Sequence, residues 1–397
     1  MNGRWNAADQ VAARAWALPA RQQPRWDDPA AVAAARGALA REPVLVDAAA
    51  VTALRDVLAR VAEGAAYVIQ AGDCAEDFAE STATDVMRKA NLLDVLAHAL
   101  QRATRRPVIR VGRIAGQYAK PRSQQTEQVA GQVLPVYRGH LVNGPEPDPV
   151  SRRPDPGRLL QGFQVAATVM THLGWRAPAR TVALGAPVWT SHEALLLEYE
   201  LPQLRMADDD RVFLSSTHWP WLGNRTRQLD GAHVALLAAI ANPVACKVGP
   251  GVGAAELVAL CERLDPHRQP GRLTLIARLG ARETASRLPH LVRAVRRSGH
   301  PVIWLVDPMH GNTVVTPAGL KTRYVETIVQ EVRDFQHAVR AEGGVAGGLH
   351  LETTPDDVTE CAADASHADA VGNKYTTLCD PRLNAGQARA VVGSWAG

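Results

Sequence analysis

Ile303-Trp304-Leu305-Val306-Asp307-Pro308-Met309-His310-Gly311-Asn312 is the stretch that decides how this chain folds. Four apolar residues run without alternation into an aspartate, a Pro-Met pair, a histidine and a glycine. An unbroken apolar run reads as a strand buried on both faces, the mark of a parallel sheet under helices. The polar residues then stand at its C-terminal tip. Working outward, similar runs fall near 65–72, 107–114, 181–188, 211–216, 243–248, 273–279, 301–306 and 347–352, and others also end in a Cys, Lys, Arg or Glu. Helix-like stretches alternate with them near 84–104, 157–173, 191–205, 226–241, 253–264, 281–298, 321–341 and 355–364. About eight strand–helix units is the number that closes a TIM barrel.

The expected class is therefore α/β, a (β/α)8 TIM barrel over residues 65–397 with an N-terminal helical extension over 1–64. The extension is Ala- and Arg-rich, is punctuated by Pro19, Pro24 and Pro29, and is expected to pack on the barrel through Trp5, Trp16 and Trp26. An open doubly wound sheet is the runner-up, but Gly112-Arg113-Ile114-Ala115-Gly116 lacks the GxGxxG spacing. A phosphate-cradling Walker loop is absent as well, because Lys247 is followed by Val248-Gly249-Pro250. The connection 115–156, rich in Gly, Pro and Arg, is long enough to expect a functional loop.

Composition excludes several classes of partner. Of 397 residues 46% are hydrophobic and 21% charged, which is globular, and the net charge of +4 is not gathered into a tract. Aromatics at 5% disfavour a base-stacking surface, so no nucleic acid is expected. No apolar run reaches the roughly 18 residues of a membrane span, and the N-terminus, with Arg4, Asp9, Arg14 and Arg21, carries no secretory h-region. The cysteines, Cys74, Cys246, Cys261, Cys361 and Cys379, are odd in number and lack CxxC spacing, which excludes a disulfide framework and fits a reducing cytoplasm.

Residues at C-terminal strand tips share one mouth in a barrel. Cys74, His310, Glu352 and Asp380 fall there, and a thiolate, an imidazole and two carboxylates make a divalent-metal set. The mixed soft and hard donors suit Mn²⁺ first, then Co²⁺, Fe²⁺ or Zn²⁺, and not Mg²⁺ alone. Arg113, Lys247 and Arg278 interrupt or end apolar strands, where an unpaired charge would be costly. With Lys120, Arg122 and Arg225 they form a cationic set whose simplest shared partner carries phosphate and carboxylate. Lys120-Pro121-Arg122-Ser123 offers a second phosphate site or, equally, a solvent-facing turn. Thr190-Ser191-His192-Glu193 reads as a helix cap, with Glu193 near enough to a strand tip to orient water. Asp307 is expected to support the metal site or bind water, and His233 and His350 to be structural.

Several stretches together resemble the type II, plant-like 3-deoxy-D-arabino-heptulosonate 7-phosphate (DAHP) synthases. They are Gln70-Ala71-Gly72-Asp73-Cys74-Ala75-Glu76, Arg113-Ile114-Ala115-Gly116-Gln117-Tyr118-Ala119-Lys120-Pro121-Arg122-Ser123, Arg225-Thr226-Arg227-Gln228-Leu229-Asp230-Gly231-Ala232-His233, Lys247-Val248-Gly249-Pro250, Asp307 to Asn312, and Cys379-Asp380-Pro381-Arg382-Leu383-Asn384. The chain looks like the short bacterial form, often tied to secondary metabolism. The resemblance implies a metal-dependent condensation of phosphoenolpyruvate with erythrose 4-phosphate, with Cys74, His310, Glu352 and Asp380 as metal ligands. It implies phosphoenolpyruvate on Arg113, Arg225, Lys247 and Arg278, and the aldehyde phosphate near Lys120, Arg122 and Ser123, with Asn143 at the sugar hydroxyls. Lys247, Arg225, Glu193 and Asp307 are the expected catalytic groups. The chain departs from the pattern at His140 and Asn224, where the family usually carries carboxylates. A homo-oligomer, expected as a dimer, is the natural assembly for the extension to support.

Overall fold

In the computed structural model, which describes residues 6–129, 131–176 and 187–396, eight parallel strands close into a barrel in chain order. They are β1 (Tyr67–Gly72), β2 (Val108–Arg113), β3 (Trp189–Glu193), β4 (Trp219–Leu222), β5 (Val244–Val248), β6 (Leu273–Ala277), β7 (Ile303–Val306) and β8 (Val345–Glu352). β8 returns beside β1, pairing Val68 with Gly348 and Gly72 with Glu352. The runs that name β1, β2 and β5 to β8 carry β-branched and aliphatic residues, and every residue of β5, β6 and β7 is buried.

Two strands fall elsewhere than the apolar runs indicate. Of the run 181–188, residues 181–186 lie outside the described residues, and β3 is the Thr190-Ser191-His192-Glu193 segment itself rather than a helix cap. The run 211–216 yields Val212–Leu214, which pairs antiparallel with Leu204–Met206 outside the barrel, and β4 lies beyond it. Both barrel strands are disguised by polar or cyclic residues, and Ser191 and Thr190 find their partners inside the barrel. Ser191 donates to the Gly112 carbonyl (2.9 Å) and accepts from Gln70 Nε2 (3.0 Å), while Thr190 Oγ1 lies 2.8 Å from His218 Nδ1. Pro220 in β4 is a residue that ordinarily argues against a central strand.

The helices are α1 (Ala7–Trp16), α2 (Pro29–Arg41), α3 (Ala48–Ala62), α4 (Ala83–Thr104), α5 (Gly157–His172), α6 (Ala232–Ala239), α7 (Ala254–Leu264), α8 (Ala281–Arg297), α9 (Val325–Ala341) and α10 (Ala385–Gly393). Only Leu197–Glu200 and the 3-10 turn Leu201–Gln203 that continues it stand for the helix expected over 191–205, and 355–364 is irregular rather than helical. α10 was not anticipated; it opens on an Asn384 capping box and packs on α4.

α3 closes the N-terminal end of the barrel. Its Leu54, Leu58 and Val61 bury among Val68, Ile109, Ile303 and Leu305. In α1, Trp16 lies under the Arg36 guanidinium (4.2 Å), and Trp26 packs on the cluster around α5; Trp5 is outside the described residues. The segment after α1 reaches the opposite end of the molecule, where Gln22 Oε1 accepts from the Arg122 amide (2.8 Å). No helix among the described residues is long and apolar enough to cross a membrane.

Candidate active site

Register brings the strand tips to one level. Gly72 pairs with Arg113 on one side and with Glu352 on the other, so these two side chains meet at 3.0 Å. The second Glu352 oxygen lies 2.7 Å from Arg323 Nη1, and all three residues are buried. Burial alone would push the Glu352 carboxyl up, but His310, Lys120 and Arg323 outweigh it and hold the group well below the usual carboxylate range.

Around Glu352 lie the residues expected as metal ligands. Ligand atoms of Cys74, Glu352 and Asp380 all lie within 4.8 Å of one another, and His310 Nε2 is 3.1 Å from Glu352 Oε1. The other His310 nitrogen is 2.8 Å from Asp307 Oδ2, which also takes the Lys247 ammonium at 2.9 Å. Asp307 Oδ1 accepts from the Met309 and His310 amides (3.1 and 3.2 Å), so one carboxylate fixes both the loop and the ring. The sulfur and two carboxylates that lie close together, with the His310 imidazole beside Glu352, are donor types suited to a divalent transition metal.

Two adjoining cavities open from this cluster. The inner one, about 170 Å³, is lined by Arg113, Lys120, Glu193, Lys247 and Arg278 among others. The outer one, about 510 Å³, shares Lys120, Arg225 and Arg278 with it and adds Arg122, Ser123, Lys321 and Arg323. Trp221 forms part of the inner wall, its ring under the Arg113 guanidinium (5.3 Å) and the Lys247 ammonium (5.8 Å). Burial lowers the Lys247 pKa, with Asp307 pulling the other way and Arg113 adding to the drop. Ser123 accepts from Arg225 at 2.6 Å, and Arg278 Nη2 donates to the His310 carbonyl at 2.7 Å. Arg122 is held by Glu127 (3.1 Å).

Glu193, at the tip of β3, is a buried carboxylate whose Oε1 has no hydrogen-bond partner among the described residues. It lies over Gly223, where any Cβ would come within 2.0 Å of that oxygen. Burial pushes its carboxyl up against the pull of Lys247 and Lys120, which suits a group that holds or releases a proton. The loop that carries Lys120 is anchored by Glu76, whose carboxylate accepts from the Ala115, Gly116 and Gln117 amides (3.1, 2.9 and 2.7 Å).

Not every residue named from the sequence reaches the cavities. Asn143 lines neither; its Oδ1 accepts from the Arg138 amide and its Nδ2 donates to the Val136 and Arg152 carbonyls, so its amide is engaged in shaping the loop. His140 also lines neither, stacking on Phe78 (4.8 Å between ring centroids) with Asp77 beside it (3.3 Å). Asn224 does sit on the inner wall, its Oδ1 accepting from the Gly249 amide and Arg227 Nε (both 3.1 Å). Lys321, Arg323 and Trp221 are cavity residues that the sequence reading missed. The basic pair lies in the connection after β7, just ahead of α9, and Lys-Thr-Arg so soon after the His310 tip was the available signal.

The chain matches the description of the class-II DAHP synthetase family over residues 11–182 and 170–394. It belongs to that family. Curated members similar to it include a probable phospho-2-dehydro-3-deoxyheptonate aldolase from Pseudomonas fluorescens, 57% identical over 375 residues, covering 94% of each chain. A phospho-2-dehydro-3-deoxyheptonate aldolase from Mycolicibacterium smegmatis is 39% identical over 94% of this chain and 91% of that one. The enzyme of the same name from Streptomyces coelicolor is 39% identical over 93% of each. Among solved structures, the phospho-2-dehydro-3-deoxyheptonate aldolase of Francisella tularensis aligns over 98% of this chain and 97% of that one with a TM-score of 0.52. At 11% identity it supports the barrel fold alone. In this member of the class-II family, Arg113, Lys120, Arg122, Ser123, Arg225, Lys247, His310 and Asp380 belong both to the family-like stretches and to the walls of the two cavities.

Proposed function

We propose that the chain condenses phosphoenolpyruvate with erythrose 4-phosphate to give DAHP and phosphate, using a divalent metal held by Cys74, His310, Glu352 and Asp380. As a member of the class-II DAHP synthetase family it is a 3-deoxy-7-phosphoheptulonate synthase. The observation that carries the finer reading is the juxtaposition of that ligand cluster with a wall of buried cations in one barrel mouth. When bound, the metal supplies Lewis-acid activation of the aldehyde oxygen. Arg113, Arg225, Lys247 and Arg278 hold the carboxylate and phosphate of phosphoenolpyruvate in attack geometry and balance their charge. Carbon 3 forms the new bond to the aldehyde carbon, which leaves positive charge at carbon 2. Water adds there, giving one proton to Glu193 for delivery to the oxygen of the former aldehyde, and the carbon 2–O bond to phosphate then breaks as the remaining hydroxyl proton leaves with the phosphate and the ketone forms. Lys120, Arg122 and Ser123 receive the aldehyde phosphate, and the outer cavity's further cations, Lys321 and Arg323, support the same use. The product stands at the entry to the shikimate pathway, and the resemblance to the short bacterial form favours a supply to secondary metabolism.

Incubation with both substrates should release phosphate and give a product of the DAHP mass. Chelation with EDTA should abolish that turnover and Mn²⁺ should restore it. Activity indifferent to chelation would sink the metal part of the reading. The neutral Asn224 on the inner wall favours a second reading, the same chemistry on a different phosphorylated aldehyde. A panel of aldehydes, read by phosphate release and product mass, separates the two.

A further inference from the structure

Glu331 lies on α9, outside both cavities, and is completely buried without an ion-pair partner within 4 Å among the described residues. A carboxylate in that position is expensive unless hydrogen-bond donors converge on it. Three groups do. Its Oε1 accepts from the Gly280 amide (2.8 Å) and lies 2.9 Å from Thr284 Oγ1, and its Oε2 accepts from Asn312 Nδ2 (2.6 Å). Gly280 lies in the turn after β6 that carries Arg278, and Thr284 lies in the first turn of α8, which follows it. Asn312 closes the loop after β7 that carries His310.

The two loops are fitted to each other besides. Asn312 Oδ1 accepts from the Ala281 amide (3.0 Å), and its Nδ2 also donates to the Pro308 carbonyl (2.8 Å). Gly280, at φ +86°, and Gly311 pack backbone to backbone, a Cβ on Gly311 coming within 2.4 Å of the Gly280 nitrogen. Arg278 itself bonds to the His310 carbonyl.

We propose that Glu331 is a positioning residue, its carboxylate locking the Arg278 loop to the His310 loop so that the enol-phosphate and metal ends of the site keep one relative placement. The proposal rests on the roles given above to Arg278 and His310. Burial raises the Glu331 pKa to about 7, as expected for a carboxylate held by neutral donors alone.

The lock has a polarity that can be reversed. Glu331→Gln keeps the shape but turns an NH₂ toward the Asn312 NH₂, or sacrifices the Gly280 bond. Asn312→Asp sets two carboxylates face to face. In the double variant E331Q/N312D the introduced amide can donate to the introduced carboxylate. Binding of phosphoenolpyruvate and of Mn²⁺ would be measured by calorimetry for each variant, with KM and kcat alongside. Each single variant should raise the Kd for Mn²⁺ and the KM for phosphoenolpyruvate about 10-fold, the low end for losing a ligand's supporting bond. The double variant should recover most of that loss. Single variants that bind both like the wild type, whatever their melting temperature, overturn the lock, as does a double variant no better than E331Q. Arg278→Ala and His310→Ala serve as controls. If they leave phosphoenolpyruvate and Mn²⁺ binding unchanged, the site assignment falls and takes the lock with it.

Discussion

At the N-terminal end of the barrel Leu54, Leu58 and Val61 of α3 meet Val68, Ile109 and Ile303, whereas at the other end the same strands finish in buried Arg113, Lys247, Asp307 and Glu352. The first end removes apolar surface from water, worth about 1.5–3 kcal/mol for each fully buried aliphatic side chain. The second end concentrates charge where desolvation opposes it, and each charge there is tolerated only through its neighbours. Glu352 shows the dependence best, standing between Arg113 and Arg323 with Lys120 at 3.7 Å. The lesson is a division of labour along one set of strands. The plugged end stabilises, and the open end gathers the buried charges on which the proposed function draws.

The comparison can be broken or sharpened by experiment. The largest effect is expected from Cys74→Ala, which should weaken Mn²⁺ binding by about 100-fold or more, beyond the range for supporting residues; unchanged metal content would remove Cys74 from the ligand set. Lys247→Met should lower kcat/KM by about 10²–10³ through loss of a preorganised cation, with the folded state retained by circular dichroism. Leu58→Ala should show the reverse pattern. Its unfolding free energy should fall by about 3 kcal/mol in urea while the KM for phosphoenolpyruvate stays put; a shifted KM would mean the two ends are not independent.

The smallest effect at neutral pH comes from His218, whose contribution to pH dependence appears only as pH falls. His218, buried between Trp175 and Trp189, has its pKa lowered from 6.5 to about 3 by burial. The unfolded chain therefore takes up a proton that the folded chain refuses, so stability present above pH 6.5 drains away as pH falls toward 3. One such group contributes a slope of at most about 1.4 kcal/mol per pH unit. His218→Gln should flatten the acid limb of a urea-stability profile by that proton, and an unaltered limb would refute it.

The same division explains what could be read from the sequence. β7 and its polar tip are legible because an apolar run buried on both faces has no other use, and the tips of β1, β2, β5 and β8 follow the same rule. β3 and β4 escaped because Ser191, Thr190, His192 and Pro220 obey no periodic pattern; Ser191 and Thr190 bond to partners distant in sequence, Gln70 and His218. Lys321 and Arg323 were hidden for a different reason, being on a connection rather than at a strand tip. Asn143 shows the converse hazard. A residue in a recognised loop can be there to shape the backbone, and its three hydrogen bonds do that. The proximity of Asp77 to His140 was equally invisible, since it joins two loops that the linear order separates.

Gln22 carries a consequence for how such a chain could be inherited in parts. Its amide oxygen holds the Arg122 backbone and its carbonyl lies 3.5 Å from Arg138, so the amino-terminal extension touches the loop that carries Lys120 and Arg122. A crossover that exchanged residues 1–64 between distant relatives would deliver a foreign neighbour to that loop. Recombinants should therefore tolerate exchange of the extension together with the 115–143 loop far better than exchange of either alone.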